Sequence, residues 1–355
     1  MEEEQHMLTD DDAIVSATGI SDIYRAAKQL EGTVRKTPLI YSDFFSGISG
    51  NTTYLKLENL QTTGAFKLRG AYNKISMLNK EEQARGVITA SAGNHAQGVA
   101  YASQKLGVKA VICMPATTPI LKIEATRALG ASVVLHGNGF DDAYAHSLRL
   151  QKEKGYVYIH PFNDRDVIVG QGTIALELID ALKDVDAILV PVGGGGLASG
   201  VALGTKLVNP QVKVIGVEPE NASCMKAALS YGRAITLPSA DTVAMAVCAG
   251  GRQGGQALAD GGVVFRDQRL ADWAFVGIGT FYVPHHGVLD GVAAVCDVCG
   301  TGDVCPVSAA AQICGQPVAV AQPALVCAAV CIRFGRLGDV QRLYARRPSS
   351  DRRDR

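Results

Sequence analysis

The stretch DAILVPVGGGGLASGVALGTKL, residues 186–207, joins a short apolar run to a longer amphipathic run through four consecutive glycines. The first run predicts a buried strand and the second a helix. Pairs of this kind recur from about residue 20 to 240, as where KAVICM, 109–114, is followed by ILKIEATRALG, 120–130. The alternation predicts an α/β fold with parallel sheets covered by helices on both faces.

Length and charge limit the kinds of partner. A chain of 355 residues exceeds the usual size of one core, so we expect two α/β lobes with a ligand cleft between them. Lys plus Arg equal Asp plus Glu at 34 each, which gives no broad cationic field for nucleic acid or anionic lipid. The acidic start MEEEQHMLTDDD is unlike a signal peptide, and no apolar run could span a bilayer. We therefore expect a cytoplasmic protein with a small-molecule partner, no nucleic acid and no membrane.

The four glycines, Gly193, Gly194, Gly195 and Gly196, indicate close approach of the backbone to another group. Glycine is costly in chain entropy, and a helix start offers free amides to an anion such as phosphate. A flexible linker is the alternative, but a linker need not lie between a strand and a helix. The loop lacks the endings of a P-loop and of a dinucleotide fingerprint. The pattern predicts a phosphate held mainly by backbone amides.

A second strand-to-helix loop is SAGNHAQG, residues 91–98. Amides at a helix start can bind a carboxylate, and the Asn94 side chain can donate to a ring oxygen. Ordinary helix capping by Ser91 or Asn94 is an equally good explanation of this loop alone. His95 is more simply a packing histidine than a catalytic one.

The third loop is TTGAFKLRGA, residues 62–71, in which Lys67 follows Phe66 at the predicted start of a helix. A lone lysine is usually a surface residue whose stem covers apolar groups. The alternative is a desolvated amine of lowered pKa that can form a Schiff base with a carbonyl compound. A phosphate cradle, a carboxylate pocket and one amine together describe pyridoxal 5'-phosphate bound to an amino acid.

Four segments, in their order and spacing, resemble the threonine dehydratases (threonine ammonia-lyases) of the fold type II, or tryptophan synthase beta-like, pyridoxal phosphate enzymes. They are ENLQTTGAFKLRGA (58–71), SAGNHAQGVA (91–100), PVGGGGLASG (191–200) and VIGVEPENASCMKAAL (214–229). The resemblance runs from about residue 20 to 240. It implies a two-lobed fold with residues 1–57 and 161–240 in a large cofactor-binding lobe and 58–160 in an inserted small lobe.

The resemblance also implies roles for particular residues. Lys67 would carry the cofactor and act in catalysis, with Phe66 beside the cofactor ring and Asn94 at the ring hydroxyl. Gly193 through Gly196 would hold the phosphate. The substrate carboxylate would lie on Ser91, Ala92, Gly93, Asn94 and His95, with Ser91 also in a catalytic role.

The implied reaction is dehydration and deamination of L-threonine to 2-oxobutanoate and ammonia, and of L-serine to pyruvate. It would serve isoleucine biosynthesis or threonine catabolism, in a homo-oligomer that is a tetramer in that family. A β-replacement synthase is a rival, although the SAGNH loop resembles the dehydratases. A serine racemase is another, but racemase relatives carry a hydroxyl where this chain has Ala92. Those relatives bind a divalent ion near the equivalent of Glu218; here Cys224 replaces the second acid, so Glu218 is a weak metal candidate.

The resemblance stops in an atypical tail, residues 241–355. No lysine follows Lys226 and no glutamate follows Glu220, although both are frequent earlier. We favour loss of the coding frame near residue 245, which would give an inactive or truncated dehydratase or a disordered tail. A lineage-specific regulatory domain and a zinc module at Cys296, Cys299 and Cys305 are the alternatives.

Overall fold

A computed structural model describes residues 18–219, 222–231, 237, 276–278, 293–294, 305–306 and 329–333. Its helices are α1 (Ile20–Leu30), α2 (Asp43–Ser49), α3 (Lys67–Ser76), α4 (Lys80–Arg85), α5 (Asn94–Leu106), α6 (Ile120–Ala128), α7 (Phe140–Lys154), α8 (Arg165–Ala181), α9 (Gly196–Val208) and α10 (Cys224–Tyr231), with a 3-10 turn at Glu58–Leu60. Its strands are β1 (Leu39–Tyr41), β2 (Thr52–Lys56), β3 (Val87–Ala90), β4 (Ala110–Met114), β5 (Ser132–Leu135), β6 (Val157–Tyr158), β7 (Ala187–Pro191), β8 (Lys213–Pro219), β9 (Val276–Ile278), β10 (Ala293–Ala294), β11 (Cys305–Pro306) and β12 (Ala329–Arg333).

The smaller of the two main sheets has the strand order β5-β4-β3-β6 and is parallel throughout. Its central strands, β3 and β4, are buried along their whole length because both faces are covered. Their near-continuous apolar sequences, VITA and AVICM, are typical of such strands. The predicted parallel sheet is therefore confirmed in this part of the chain.

The larger sheet has the order β1-β2-β12-β7-β8-β9 and is mixed. Strands β7 and β8 are parallel, as the sequence predicts, and β9 extends this parallel part, whereas β1 pairs with β2 antiparallel. Only residues 42–51 join β1 to β2, and a parallel pair needs a longer crossover. The strands of the smaller sheet all fall within 58–160; the exact bounds of the two lobes stay a prediction.

The segment 241–355 is mostly outside the described residues, including Cys296 and Cys299. One part of it, β12, lies between β2 and β7 and is antiparallel to both. Ala329 and Cys331 are fully buried in the core cluster on one face of the sheet, and Ile332 packs with Ala187 on the other. This alternation is that of a central strand. Frame loss stays a prediction, but this segment supplies a buried strand.

Close helix contacts fix the helix that begins at Lys67. A Cβ added to Gly170 of α8 would lie 2.7 Å from the Cα of Gly70 in α3. A Cβ added to Gly98 of α5 would lie 3.2 Å from the carbonyl carbon of Lys67. Helix α3 is thus held against α8 and α5 at backbone contact, which leaves little freedom at its first residue. None of the described helices is long and apolar enough to cross a bilayer.

Candidate active site

Lys67 is the first residue of α3, and Phe66 precedes it at the cap position. Its Nζ donates to the carbonyl oxygen of Pro161 at 2.6 Å and lies 5.3 Å from the centroid of the Phe66 ring and 6.0 Å from that of Phe162. Burial lowers the pKa of this amine to about 8. The structure thus places a desolvated amine here rather than a surface lysine.

The loop 91–93 connects the end of β3 to the start of α5, and residues 94 and 95 open that helix. Gly93 occupies the cap position without a side-chain cap, and the Ser91 hydroxyl accepts from the Gly93 amide at 3.3 Å instead. Neither Ser91 nor Asn94 therefore caps this helix, and Asn94 is exposed as its first residue. The first amides of α5 have no partner within the helix and are suited to a carboxylate. The roles of Ala92 and of its neighbours toward substrate stay a prediction.

His95 is buried beside this loop. Its Nε2 lies 2.9 Å from the carbonyl oxygen of Ile159, and because a carbonyl only accepts, Nε2 carries the proton. Burial, with the charge of Lys67 adding to it, lowers the pKa of His95 to about 3. The ring stays neutral and ties α5 to residue 159, in agreement with a packing role.

The tetraglycine loop follows β7, and α9 begins at its last glycine. Gly195 is left-handed, with φ of 89°, a conformation that favours glycine. A Cβ added to Gly194 would overlap the ring of Phe162, and one added to Gly196 would lie 2.8 Å from the Phe162 Cα. At these two positions Phe162 makes the close approach, through its ring at Gly194 and mainly through its backbone at Gly196. The amides at the start of α9 still have no partner within the helix.

Residues 159–163, which follow β6, connect the three loops. Ile159 accepts from His95, Pro161 accepts from Lys67, and Phe162 covers the glycine loop. No pattern in the sequence marks this segment, because β6 has only two residues and no apolar period. The segment nonetheless lies at the edge of the sheet where ligands bind, because β6 is parallel to β3 and ends near the 91–93 loop.

The Glu218 carboxylate caps α10. It accepts from the amides of Met225 at 2.8 Å and Lys226 at 2.9 Å, and the Cys224 thiol lies 3.6 Å from one of its oxygens. Burial raises the pKa of Glu218. In the described part of the chain, no group of three or more His, Cys, Asp or Glu is arranged to hold a metal ion. Both carboxylate oxygens of Glu218, a residue of β8, thus accept from amides at the start of α10.

These residues fit pyridoxal phosphate. Lys67 is an amine of lowered pKa beside an aromatic ring, which suits covalent attachment of an aldehyde. The left-handed Gly195 and the start of α9 offer backbone amides that could hold a phosphate, and the start of α5 offers amides that could hold a carboxylate. The class defined by this fold and site is that of enzymes that use pyridoxal phosphate on amino acids.

The chain belongs to the pyridoxal-phosphate dependent enzyme family, whose sequence profile matches residues 30–271. It is 54% identical over 225 residues to an L-threonine ammonia-lyase of Thermotoga maritima, a match that covers 63% of this chain and 56% of that protein. The match thus spans little more than half of that relative. The resemblance seen in the motifs ends near residue 240, whereas the match to the family profile extends beyond that residue.

Two solved structures extend the comparison. The processed form of threonine deaminase isoform 2 from Solanum lycopersicum is 41% identical with a TM-score of 0.64, over 78% of this chain and 76% of that one. Maize serine racemase is 34% identical with a TM-score of 0.67, over 74% of this chain and 77% of that one. Both support the fold type II architecture expected from the motifs.

Gly194→Asp should weaken the binding of pyridoxal phosphate strongly, because it adds a negative charge where phosphate is expected and a side chain where Phe162 packs. Equilibrium titration of the variant with the cofactor measures the effect. Gly194→Ala alone and combined with Phe162→Ala separates the two causes. If the double variant binds as poorly as Gly194→Asp, or if Gly194→Asp binds normally, the phosphate does not approach the loop as we expect.

Proposed function

We propose that this chain catalyses the pyridoxal phosphate-dependent dehydration and deamination of L-threonine to 2-oxobutanoate and ammonia, and of L-serine to pyruvate. The observation that carries the proposal is Lys67, an amine of lowered pKa at a helix start, enclosed by residues that connect three loops. The names of the related lyase and deaminase support the choice of substrate.

The cofactor, when bound, supplies a sink for the electron pair released at the substrate Cα. Lys67, which is partly neutral near pH 8, takes the Cα proton. Amides at the start of α5 hold the carboxylate, and the rings of Phe66 and Phe162 keep water from the amine. Loss of the β-hydroxyl then gives a product that hydrolyses to the oxo acid and ammonia.

Assembly and location belong to the same proposal. The resemblance to the dehydratases supports a homo-oligomer, a tetramer in that family, and a cytoplasmic location. The proposed reaction would serve isoleucine biosynthesis or threonine catabolism.

The visible spectrum of the purified chain with pyridoxal phosphate tests the proposal. We expect an absorption band that borohydride removes, with the reduced cofactor recovered on the peptide that contains Lys67. We also expect 2-oxobutanoate from L-threonine. A normal band without the oxo acid would disprove the reaction and leave the cofactor assignment intact.

A racemase is the second candidate, because maize serine racemase shares the fold. Racemisation needs an acid or base on each face of the planar carbanion, and Lys67 supplies only one. Ala92 is partly buried against the core of the small lobe and brings only a methyl group. Elimination should therefore prevail over racemisation.

Ala92→Ser should raise the ratio of D-serine to pyruvate formed from L-serine, as chiral chromatography would measure.

The comparison requires equal cofactor occupancy in the wild type and the variant. Ala92→Val is the matched control, since it enlarges the same side chain and adds no hydroxyl. If the wild type already racemises L-serine as fast as it forms pyruvate, another residue serves the second face and the argument fails.

A further inference from the structure

His160, which the sequence analysis did not single out, is held in one tautomer. Its Nδ1 accepts from the amide of Asn163 at 2.7 Å and from that of Phe162 at 3.2 Å. A nitrogen that accepts two N–H groups cannot carry a proton, so the neutral ring has its hydrogen on Nε2. The ring also meets Phe162 edge to face, with centroids 4.6 Å apart. The imidazole is therefore fixed in position and in tautomer.

The Nε2–H of His160 has no acceptor among the residues that the structure describes. The ring is only partly buried, and Nε2 is on the side away from the amides of residues 162 and 163. The next residue, Pro161, accepts from the Lys67 Nζ, and the Phe162 ring that His160 meets has its centroid 6.0 Å from that amine. Burial, together with the charge of Lys67, lowers the pKa of His160 to about 4. A neutral donor without a partner thus lies beside Lys67.

The polar groups of L-threonine indicate what this donor meets. The amino group goes to the cofactor at Lys67, and the carboxylate goes to the amides at the start of α5. The hydroxyl is the polar group that remains. We propose that His160 is a specificity-determining residue whose Nε2–H donates a hydrogen bond to the β-hydroxyl oxygen of the substrate. This inference rests on the proposed function.

A hydrogen bond, not a proton transfer, is assigned to His160. The neutral ring has no acidic proton to give near neutral pH, since it becomes an imidazolium only near pH 4. The bond orients the hydroxyl and stabilises the negative charge that develops on the oxygen as the Cβ–O bond breaks. The oxygen leaves as water with the proton that Lys67 took from Cα, so that protons and charge balance over the elimination.

Substrates that differ in the leaving group test the inference. His160→Phe should lower kcat/KM for L-threonine and L-serine by about 100-fold, the loss typical of one oriented donor to a reacting oxygen. It should change kcat/KM for β-chloro-L-alanine by less than about threefold, because chloride leaves without such a donor. His160→Gln, which keeps an N–H near Nε2, should recover part of the loss. His146→Phe, on α7, is the matched control, and thermal unfolding checks each variant.

A second readout needs no cofactor. Nitrogen-15 NMR of the histidine rings in the cofactor-free chain should show Nδ1 of His160 unprotonated and Nε2 protonated, down to about pH 5; comparison with His160→Phe assigns the signals. A proton on Nδ1 would overturn the inference, as would equal losses for L-serine and β-chloro-L-alanine in His160→Phe. If the wild type converts β-chloro-L-alanine to pyruvate but forms no 2-oxobutanoate from L-threonine and no pyruvate from L-serine, the proposed function is overturned and this role with it.

Discussion

Lys67→Ala is expected to abolish formation of 2-oxobutanoate from L-threonine. The substitution removes both the amine that carries the cofactor and the base that takes the Cα proton, so we expect a loss of at least about 10⁴-fold in kcat. The visible band that borohydride removes should disappear as well. Circular dichroism should be unchanged, because Lys67 pairs with a carbonyl oxygen and not with a buried carboxylate.

A matched control is Lys105→Ala. Lys105 also lies near an aromatic ring, 5.5 Å from the centroid of Tyr101, but it is exposed on α5. This variant should keep the band and the activity. Appreciable 2-oxobutanoate from Lys67→Ala, or loss of activity in both variants, would contradict the role of Lys67.

The pKa of Lys67 adds a pH test to the same residue. Attack on the aldehyde needs the neutral amine, and at pH 7 a pKa of about 8 leaves about 300 times more of it than the ordinary value of 10.5. The rate of cofactor attachment to the cofactor-free chain should rise with pH and level off above about 8. A rate that still rises steeply at pH 10 would mean that the amine is not desolvated.

The sequence predicted the local chemistry of the site because each signal was contained in one loop. Lys67 opens a helix, and the glycine loop joins a buried strand to another helix, as their patterns indicated. The segment 159–163 could not be found in this way. The segment matters because residues distant in sequence form hydrogen bonds to its backbone. His95 bonds to the carbonyl oxygen of Ile159, and Lys67 bonds to that of Pro161.

The larger sheet shows a second limit. The pattern of a buried strand predicts burial but not direction, and the antiparallel pairing of β1 with β2 follows from the short connection. The place of β12 between β2 and β7 depends on pairings across almost the whole chain. Composition marks residues 241–355 as atypical, yet it does not indicate that AVCIR, 329–333, alternates correctly for a central strand.

A buried ion-pair network holds the helix of Lys67 in place. Arg69, two residues further along, is fully buried and donates through Nε and Nη2 to both oxygens of Glu58, at 2.9 and 2.7 Å. Its Nη1 donates to Glu177 of α8 at 2.7 Å. Lys56 of β2 completes the network by donating to Glu177 and to the carbonyl oxygen of Thr37. Two positive and two negative side chains thus join α3 to α8 and β2.

The shifts in pKa show that these charges depend on one another. Burial acts to raise the pKa of Glu58, but the hydrogen bonds and charge of Arg69 outweigh it and hold that pKa below its ordinary value. Burial acts to lower the pKa of Arg69, and the two carboxylates raise it instead. Removal of Arg69 would leave Glu58 as an uncompensated buried charge, which is far more costly than the loss of a surface pair.

Arg69→Met should therefore lower the free energy of unfolding by about 3–5 kcal/mol, as urea denaturation would measure. Arg25→Met is the matched control: Arg25 pairs with Asp22 but is 48% exposed, so its loss should be within about 1 kcal/mol. Adding Glu58→Gln to Arg69→Met removes the stranded charge and should recover part of the stability. Equal small losses in Arg69→Met and Arg25→Met would show that the network does not fix α3. In that case the position of Lys67 would depend on the glycine contacts of α3 with α5 and α8 alone.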